Sequence, residues 1–392
     1  MNILFVVPDR FKYSCGVSVY VSELIKELLK RADCKIGLLP IAPSKKTSVD
    51  FKGLPNCLII DGPTKYYWNP FYISSGWLDK IENTFGRPDI VHFHDIYYPF
   101  QSALSIEMHK RGWKYIVSLH GALQDAQQKR KFLKKMVGNL LFLKNFIKRS
   151  EAVHVLNEAE ATSFMKRFAG VETFIVPNGV SMDMLSLDQP LANSRLFNIN
   201  QNIIRVGFIG RIDVHHKGLD FLLRAIKLLQ EQRPKVAFEF VFVGRASSEK
   251  DKNIFSRLIS SLSDPSKVTL TGPIFGKAKW EILSTFDIFV HTSRYEGMPT
   301  SVIEAMAFCK PCLVTPGTNM QELILECNGG WGCAANAESI AKTLLSIESN
   351  RKEIIEKGIN AKKYVLKHLV WDVIVDDYFN QVKRILEAKN DH

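Results

Sequence analysis

The chain has 392 residues, 46% hydrophobic and 23% charged, a balance that excludes a disordered polymer and implies two domains of roughly 150–200 residues each. Its net charge of +12 is uneven: residues 1–150 hold 23 Lys+Arg against 12 Asp+Glu, and residues 151–392 hold 29 against 28. The basic first half is expected to face an anionic partner, and without an aromatic platform for stacking bases that partner is not nucleic acid.

No apolar run approaches the roughly 18 residues of a membrane span, and the opening MNILFVVPDR lacks the basic flank of a signal peptide. A cytoplasmic location is expected, and seven irregularly spaced cysteines suit a reducing compartment. Cys309, Cys312, Cys327 and Cys333 raise a structural zinc site as a minor alternative to buried thiols.

Ile3–Val7 has the pattern of a buried strand, followed by a loop with Cys15 and Gly16 and a helical repeat through Val21, Leu24, Ile25, Leu28 and Leu29. Further strands are expected at Ile36–Leu39, Leu58–Ile60, Ile90–Phe93, Tyr115–Leu119, Ala152–Val155 and Thr173–Val176. Strands alternating with helical segments predict a parallel sheet covered on both faces. His92, His94 and His120 fall at or just beyond two strand ends. His92 and His94 share a strand face, so a three-histidine metal site competes with hydrogen-bonded core and polar roles, His120 being the one expected to touch substrate.

Residues 127–150 carry eight basic side chains and no acid, with apolar residues at helical spacing. Two readings stand beside each other: a helix resting on an anionic membrane, and a domain helix with a solvated cationic back. After the turn Asn178-Gly179, the polar stretch 188–202 is the expected linker, dividing a first domain of residues 1–187 from a second of 203–371. In the second half, strands are expected at Ile203–Ile209, Phe238–Val243, Val268–Leu270, Ile288–His291 and Cys312–Thr315, with a helix through Leu219–Leu229. A terminal helix, with its pattern running from Trp371 to Leu386 and assigned to residues 372–392, is expected to pack back on the first domain. Two open parallel sheets facing each other would enclose a cleft beyond their strand ends.

The residues that bear chemistry cluster there. Arg211 follows a strand and Lys217 precedes a helix, so both cations can flank one diphosphate and stabilise charge on a departing nucleotide. In EGMPTSVIEAMAFCKP, Glu296 and Glu304 bracket the turn Gly297-Met298-Pro299-Thr300, from which a helix starts. N–H groups at a helix start suit a phosphate, a carboxylate one turn inside can accept both hydroxyls of a ribose, and Glu296 can reach a sugar hydroxyl. Gly16 lets backbone approach a ligand closely.

Together FIGRIDVHHKGLDFLLRAI and HTSRYEGMPTSVIEAMAFCKP, supported by CGVSVYVSELIKEL, DIVHFHD, VSLHG and VPNGV, resemble the retaining glycosyltransferases of family 4. The resemblance implies the GT-B fold, α/β with two Rossmann-like domains, and sugar transfer from a nucleotide sugar, here a UDP-sugar, without a bound metal or other cofactor. It implies that Arg211 and Lys217 hold the donor diphosphate, Glu304 the ribose, Glu296 the donor sugar and His120 the sugar in transfer, with Gly16 lining the donor side of the first domain. The acceptor expected is a glycan, either polyprenyl-diphosphate-linked or a surface polysaccharide. An epimerase or hydrolase of related fold and a non-catalytic carbohydrate-binding protein are the competing readings. The chain departs from the family where Cys15 stands for the first of two glycines and Cys309 for the glycine before Lys-Pro.

Overall fold

The computed structural model describes residues 1–7, 16–40, 57–60, 73, 75–96, 98–123, 142–185, 203–233 and 237–388. They form two compact units, one of residues 1–177 with 371–392 and one of residues 178–370. The division therefore falls earlier than the boundary at 187 expected from sequence, and the expected linker 188–202 lies outside the described residues. The reason is local: Val180 donates its N–H to the Leu369 carbonyl (2.9 Å) and bridges Val370 in parallel, which ties residues 178–185 to the second unit.

In the first unit seven parallel strands, β1 (Asn2–Val7), β2 (Lys35–Pro40), β3 (Leu58–Ile59), β4 (Ile90–His94), β5 (Tyr115–Ser118), β6 (Ala152–Val155) and β7 (Thr173–Ile175), lie in the order β3-β2-β1-β4-β5-β6-β7. Residues 3–7 of β1 and all of β4, β5 and β6 are buried, as a sheet covered on both faces requires. On one face Tyr115 stacks on Phe146 (5.6 Å between centroids), and its hydroxyl donates to the Phe146 carbonyl (2.6 Å).

On the other face the helix Trp371–Ala388 packs against the helix Gly16–Leu29. Its Trp371 meets Tyr20 edge-on at 5.3 Å, and its Asp376 pairs with Arg31, whose guanidinium lies over Phe379. Tyr378 reaches the sheet itself, its hydroxyl 2.8 Å from His92 Nδ1. Gly16 is the first residue of its helix rather than part of the preceding loop, and it is exposed with nothing described within 4 Å of a built Cβ. Cys15 lies outside the described residues, as does residues 127–141 of the basic segment. Its remainder includes the short helix Lys144–Lys148, with Phe146 and Ile147 buried and both lysines exposed.

The second unit is a six-stranded parallel sheet of β8 (Ile204–Ile209), β9 (Phe238–Val243), β10 (Val268–Gly272), β11 (Ile288–His291), β12 (Cys312–Val314) and β13 (Gly330–Gly332), ordered β10-β9-β8-β11-β12-β13. β8 and β9 are in register from Ile204↔Phe238 to Ile209↔Val243. The helix Leu219–Gln232 buries Leu219, Leu222, Leu223, Ile226 and Leu229, one stripe at spacing three and four, and packs on the helix Ala337–Ser349. β13 was not expected from sequence, because Gly-Trp-Gly has little strand propensity. Proximity explains it: a Cβ on Gly330 would stand 2.0 Å from the Cys312 carbonyl oxygen, so only glycine lets this strand approach β12.

In both sheets the strand order reverses beside the first strand of the unit, at β1/β4 and at β8/β11, and the loops beyond the carboxyl ends there are where ligands bind in open parallel sheets. Among the described residues no helix is long and apolar enough to cross a membrane.

Tyr378→Phe leaves a buried imidazole nitrogen unsatisfied and is expected to destabilise the protein by about 1–3 kcal/mol in urea unfolding; an unchanged midpoint would show that the bond contributes nothing.

Candidate active site

Beyond β8 the chain passes Gly210 and Arg211 and turns tightly, the Lys217 N–H donating to the Asp213 carbonyl (2.9 Å) and the His216 N–H to Asp213 Oδ1 (3.0 Å). Gly218 then caps the helix Leu219–Gln232 at φ +59°, and a Cβ there would lie 2.0 Å from the Thr292 carbonyl oxygen. That contact belongs to the loop beyond β11, and several bonds join the two loops. Thr292 Oγ1 donates to the Lys217 and Gly218 carbonyls (3.1 Å each). Arg294 forks onto both oxygens of Asp220 (2.7 Å each), donates to the His215 carbonyl (2.6 Å) and lies over the Phe221 ring. His216 stacks on Tyr295 with centroids 4.3 Å apart and donates through Nε2 to the Tyr295 carbonyl (2.8 Å), which fixes the Nε2–H tautomer of its neutral form.

At the centre of this scaffold Lys217 Nζ stands 2.5 Å from Glu296 Oε1. Ser293 Oγ donates to the same oxygen (2.7 Å), with His291 Nε2 and His216 Nε2 each 3.5 Å away. Burial alone would raise the Glu296 carboxyl; the Lys217 charge, the His291 bond and the nearby His216 outweigh it and hold the group well below the usual carboxylate range. Arg211 is exposed on the same loop, outside this pair.

The turn Gly297-Met298-Pro299 leads into the helix Thr300–Ala307. Its backbone is held from two sides, by Asn319 Nδ2 on the Glu296 and Gly297 carbonyls (2.8 and 3.3 Å) and by Asn178 Nδ2 on the Met298 carbonyl (2.5 Å). The first N–H groups of that helix have no partner inside it and form a site of positive potential. Glu304, on its second turn, pairs through Oε2 with Lys279 Nζ (2.5 Å). Burial raises the Glu304 carboxyl, against the lowering effect of Lys279.

The structure thus brings together Lys217, Glu296, Gly297, Met298, Pro299, Thr300 and Glu304 in one region of the second unit. Lys217, expected beside Arg211 on a donor diphosphate, has its ammonium paired with Glu296 in this structure. Sequence reasoning missed His216, Asn319 and Lys279, and treated Asn178 first as a turn residue.

His120 belongs to the first unit, in a left-handed turn (φ +47°) just after β5. Its Nε2 lies 2.9 Å from His94 Nδ1, and burial with the neighbouring His154 pushes its pKa down to about 3, so it is neutral at pH 7. The three-histidine metal site does not assemble, because both ring nitrogens of His92 are engaged, by Tyr378 Oη (2.8 Å) and Ser118 Oγ (2.7 Å). Nor do the four cysteines converge: the thiols of Cys312, Cys327 and Cys333 point at separate backbone carbonyls. Among the described residues no group of three or more potential ligands is placed to hold a metal ion.

The turn bearing His120 is fastened by Glu160, which is 2% exposed and accepts from the Gly121 N–H (2.5 Å) and the Leu156 N–H (2.8 Å). Glu160 lies in the helix Glu158–Met165, which Asn157 caps by accepting from the Glu160 N–H (2.9 Å). Burial raises the Glu160 carboxyl to about 7 despite those two donors. A folded pKa above the unfolded value means that the stabilisation is complete below about pH 4.5 and is lost as pH rises through 7. Relative to Glu160→Gln, the wild type is therefore expected to lose on the order of 3 kcal/mol between pH 4 and pH 8. A difference between the two melting curves that stays constant with pH would contradict this.

Two family models match the chain, Glycosyltransferase Family 4 over residues 15–184 and Glycosyl transferases group 1 over residues 204–350. An uncharacterized glycosyltransferase of Methanocaldococcus jannaschii is 28% identical over 208 residues, 52% of this chain and 50% of that protein. A putative teichuronic acid biosynthesis glycosyltransferase of Bacillus subtilis is 27% identical over 252 residues, 62% of this chain and 57% of that protein. The chain thus spans about half the length of the curated relatives it matches. Among solved structures, Anabaena HepE in complex with UDP-glucose superposes with a TM-score of 0.73 at 17% identity, covering 98% of this chain and 99% of that one. That likeness is one of fold. With both family models matched in chain order on two parallel-sheet Rossmann-like units, the protein belongs to the group 1, family 4 glycosyltransferases and has the GT-B fold.

Proposed function

We propose that the protein is a retaining glycosyltransferase that takes a sugar from a nucleotide sugar, a UDP-sugar by preference, and passes it to a glycan acceptor. The observation that carries this reading is the assembly of Lys217, Glu296, the start of the helix Thr300–Ala307 and Glu304 at the strand-order reversal of the second unit. Each part suits one part of such a donor. The helix start and the cations Lys217 and Arg211 suit a diphosphate, which carries its negative charge to Lys217 and releases Glu296 toward sugar hydroxyls. Glu304 suits the paired hydroxyls of a ribose. Stabilising the charge that builds on the departing diphosphate is then the main catalytic effect, with front-face attack and the leaving phosphate as acceptor of the proton. In the first unit the proposal assigns His120, neutral at pH 7, to the sugar in transfer.

The UDP-glucose complex of HepE supports the choice of donor, and the putative teichuronic acid biosynthesis role of the Bacillus relative supports a surface polysaccharide as acceptor. A polyprenyl-diphosphate-linked acceptor and peripheral attachment to an anionic membrane through residues 127–150 complete the reading. The eight basic residues of that segment, without an acid among them, support it.

Calorimetry and donor-dependent release of UDP test the proposal. Wild type is expected to bind UDP and turn over a UDP-sugar; Glu304→Ala is expected to lose nucleotide affinity, and Arg211→Ala to slow transfer about 10²–10³-fold, roughly 3–4 kcal/mol of transition-state stabilisation. Wild-type behaviour in both variants would overturn the assignments.

A further inference from the structure

Lys279 was not singled out by any motif, yet it is the ionic partner of Glu304, its ammonium 2.5 Å from Oε2. Both side chains are largely buried, 20% and 12% exposed. The lysine lies in the first turn of the helix Lys277–Ser284, where the helix dipole disfavours a cation, so its position there is not explained by the stability of its own helix. It is kept in place instead by Trp280, whose ring centroid lies 4.4 Å from Nζ, and that ring stacks in turn on Phe308, just beyond the helix that carries Glu304. A cation is thus packed against one oxygen of a buried carboxylate, while the other oxygen accepts no hydrogen bond from the described residues.

The chemistry of a vicinal diol gives this arrangement a use. Two hydroxyls donate most strongly to one carboxyl group while it is ionised, since both oxygens are then charged acceptors and a protonated carboxyl turns one of them to a donor of its own. Burial works against ionisation at Glu304, and Lys279 works for it.

Building on the donor reading above, we propose that Lys279 is a specificity-determining residue: by pairing with Oε2 it keeps Glu304 a charged acceptor for both ribose hydroxyls, so the site selects ribonucleotides over 2′-deoxyribonucleotides. Lys279 acts through Glu304, and removing its charge weakens the grip on the sugar of the nucleotide rather than on the phosphates.

Calorimetric titration of the full chain with UDP and with 2′-deoxy-UDP tests this in wild type, Lys279→Met, Lys279→Gln and Lys279→Arg, with melting curves to verify folding. Wild type is expected to prefer UDP. The two neutral variants are expected to lose about ten-fold in UDP affinity but less than about two-fold in 2′-deoxy-UDP affinity, and Lys279→Arg to restore most of the difference. Unchanged UDP affinity in both neutral variants would overturn the inference while leaving the donor reading intact. So would equal losses for the two nucleotides, which would place Lys279 on the phosphates. A wild type that binds none of UDP, GDP and ADP would remove the donor reading, and this inference with it.

Discussion

A buried carboxylate that must remain charged organises the second unit. Glu296 is 14% exposed in its side chain, burial raises its carboxyl and Lys217, 2.5 Å away, leads the groups that lower it, and the two residues lie on different loops, one beyond β8 and one beyond β11. Their pairing is therefore a tertiary constraint. Breaking a buried pair from one side leaves a charge without compensation, a loss of about 3–5 kcal/mol in comparable sites. The fork of Arg294 on Asp220 and the stack of His216 on Tyr295 keep the loops close enough for that pair to persist, and Asn319 and Asn178 extend the same support to the turn that starts the helix Thr300–Ala307.

The buried histidines of the first unit carry no charge at neutral pH. His92, His94 and His154 are all buried, and burial, with repulsion among the rings at His92 and His94, holds each below its ordinary pKa, so they are hydrogen-bonding groups and not cations at neutral pH. His92 and His154 share Ser118 Oγ, at 2.7 and 2.6 Å, and the chain end contributes Tyr378 to close the network. The return of the helix Trp371–Ala388 to this unit thus supplies a hydrogen bond as well as apolar cover. Glu160 fastens the turn after β5 by meeting two backbone donors with a carboxyl that burial raises to about 7.

Much of this was legible in the sequence where the signal is local. IRVGFI and FEFVFV are apolar runs of strand length and became β8 and β9; the leucine repeat after Lys217 became a helix. The Glu-x7-Glu spacing and the Pro before Thr300 located a helix start with a carboxylate one turn inside. What stayed hidden depends on contacts distant in sequence. Lys279 lies 25 residues before Glu304, and Asn178 lies 120 residues before the carbonyl that it supports. No periodicity encodes such pairs. β13 escaped for the opposite reason, because its glycines answer the closeness of β12 rather than any preference for extended backbone. The ion pair of Lys217 with Glu296 was hidden too, since the same two residue types at the same positions suit a diphosphate and a sugar equally well when taken one at a time.

The central claim is that the start of the helix Thr300–Ala307, with the Lys217 and Glu296 pair beside it, receives the diphosphate of a nucleotide sugar. Amide hydrogen exchange resolved to single residues, with and without UDP-glucose, tests it directly. The account predicts that the amides of Thr300 and Ser301, which have no partner within the helix, become protected when the nucleotide binds. Protection confined to other parts of the chain, with these two amides exchanging at their unliganded rate under saturating UDP-glucose, would contradict it.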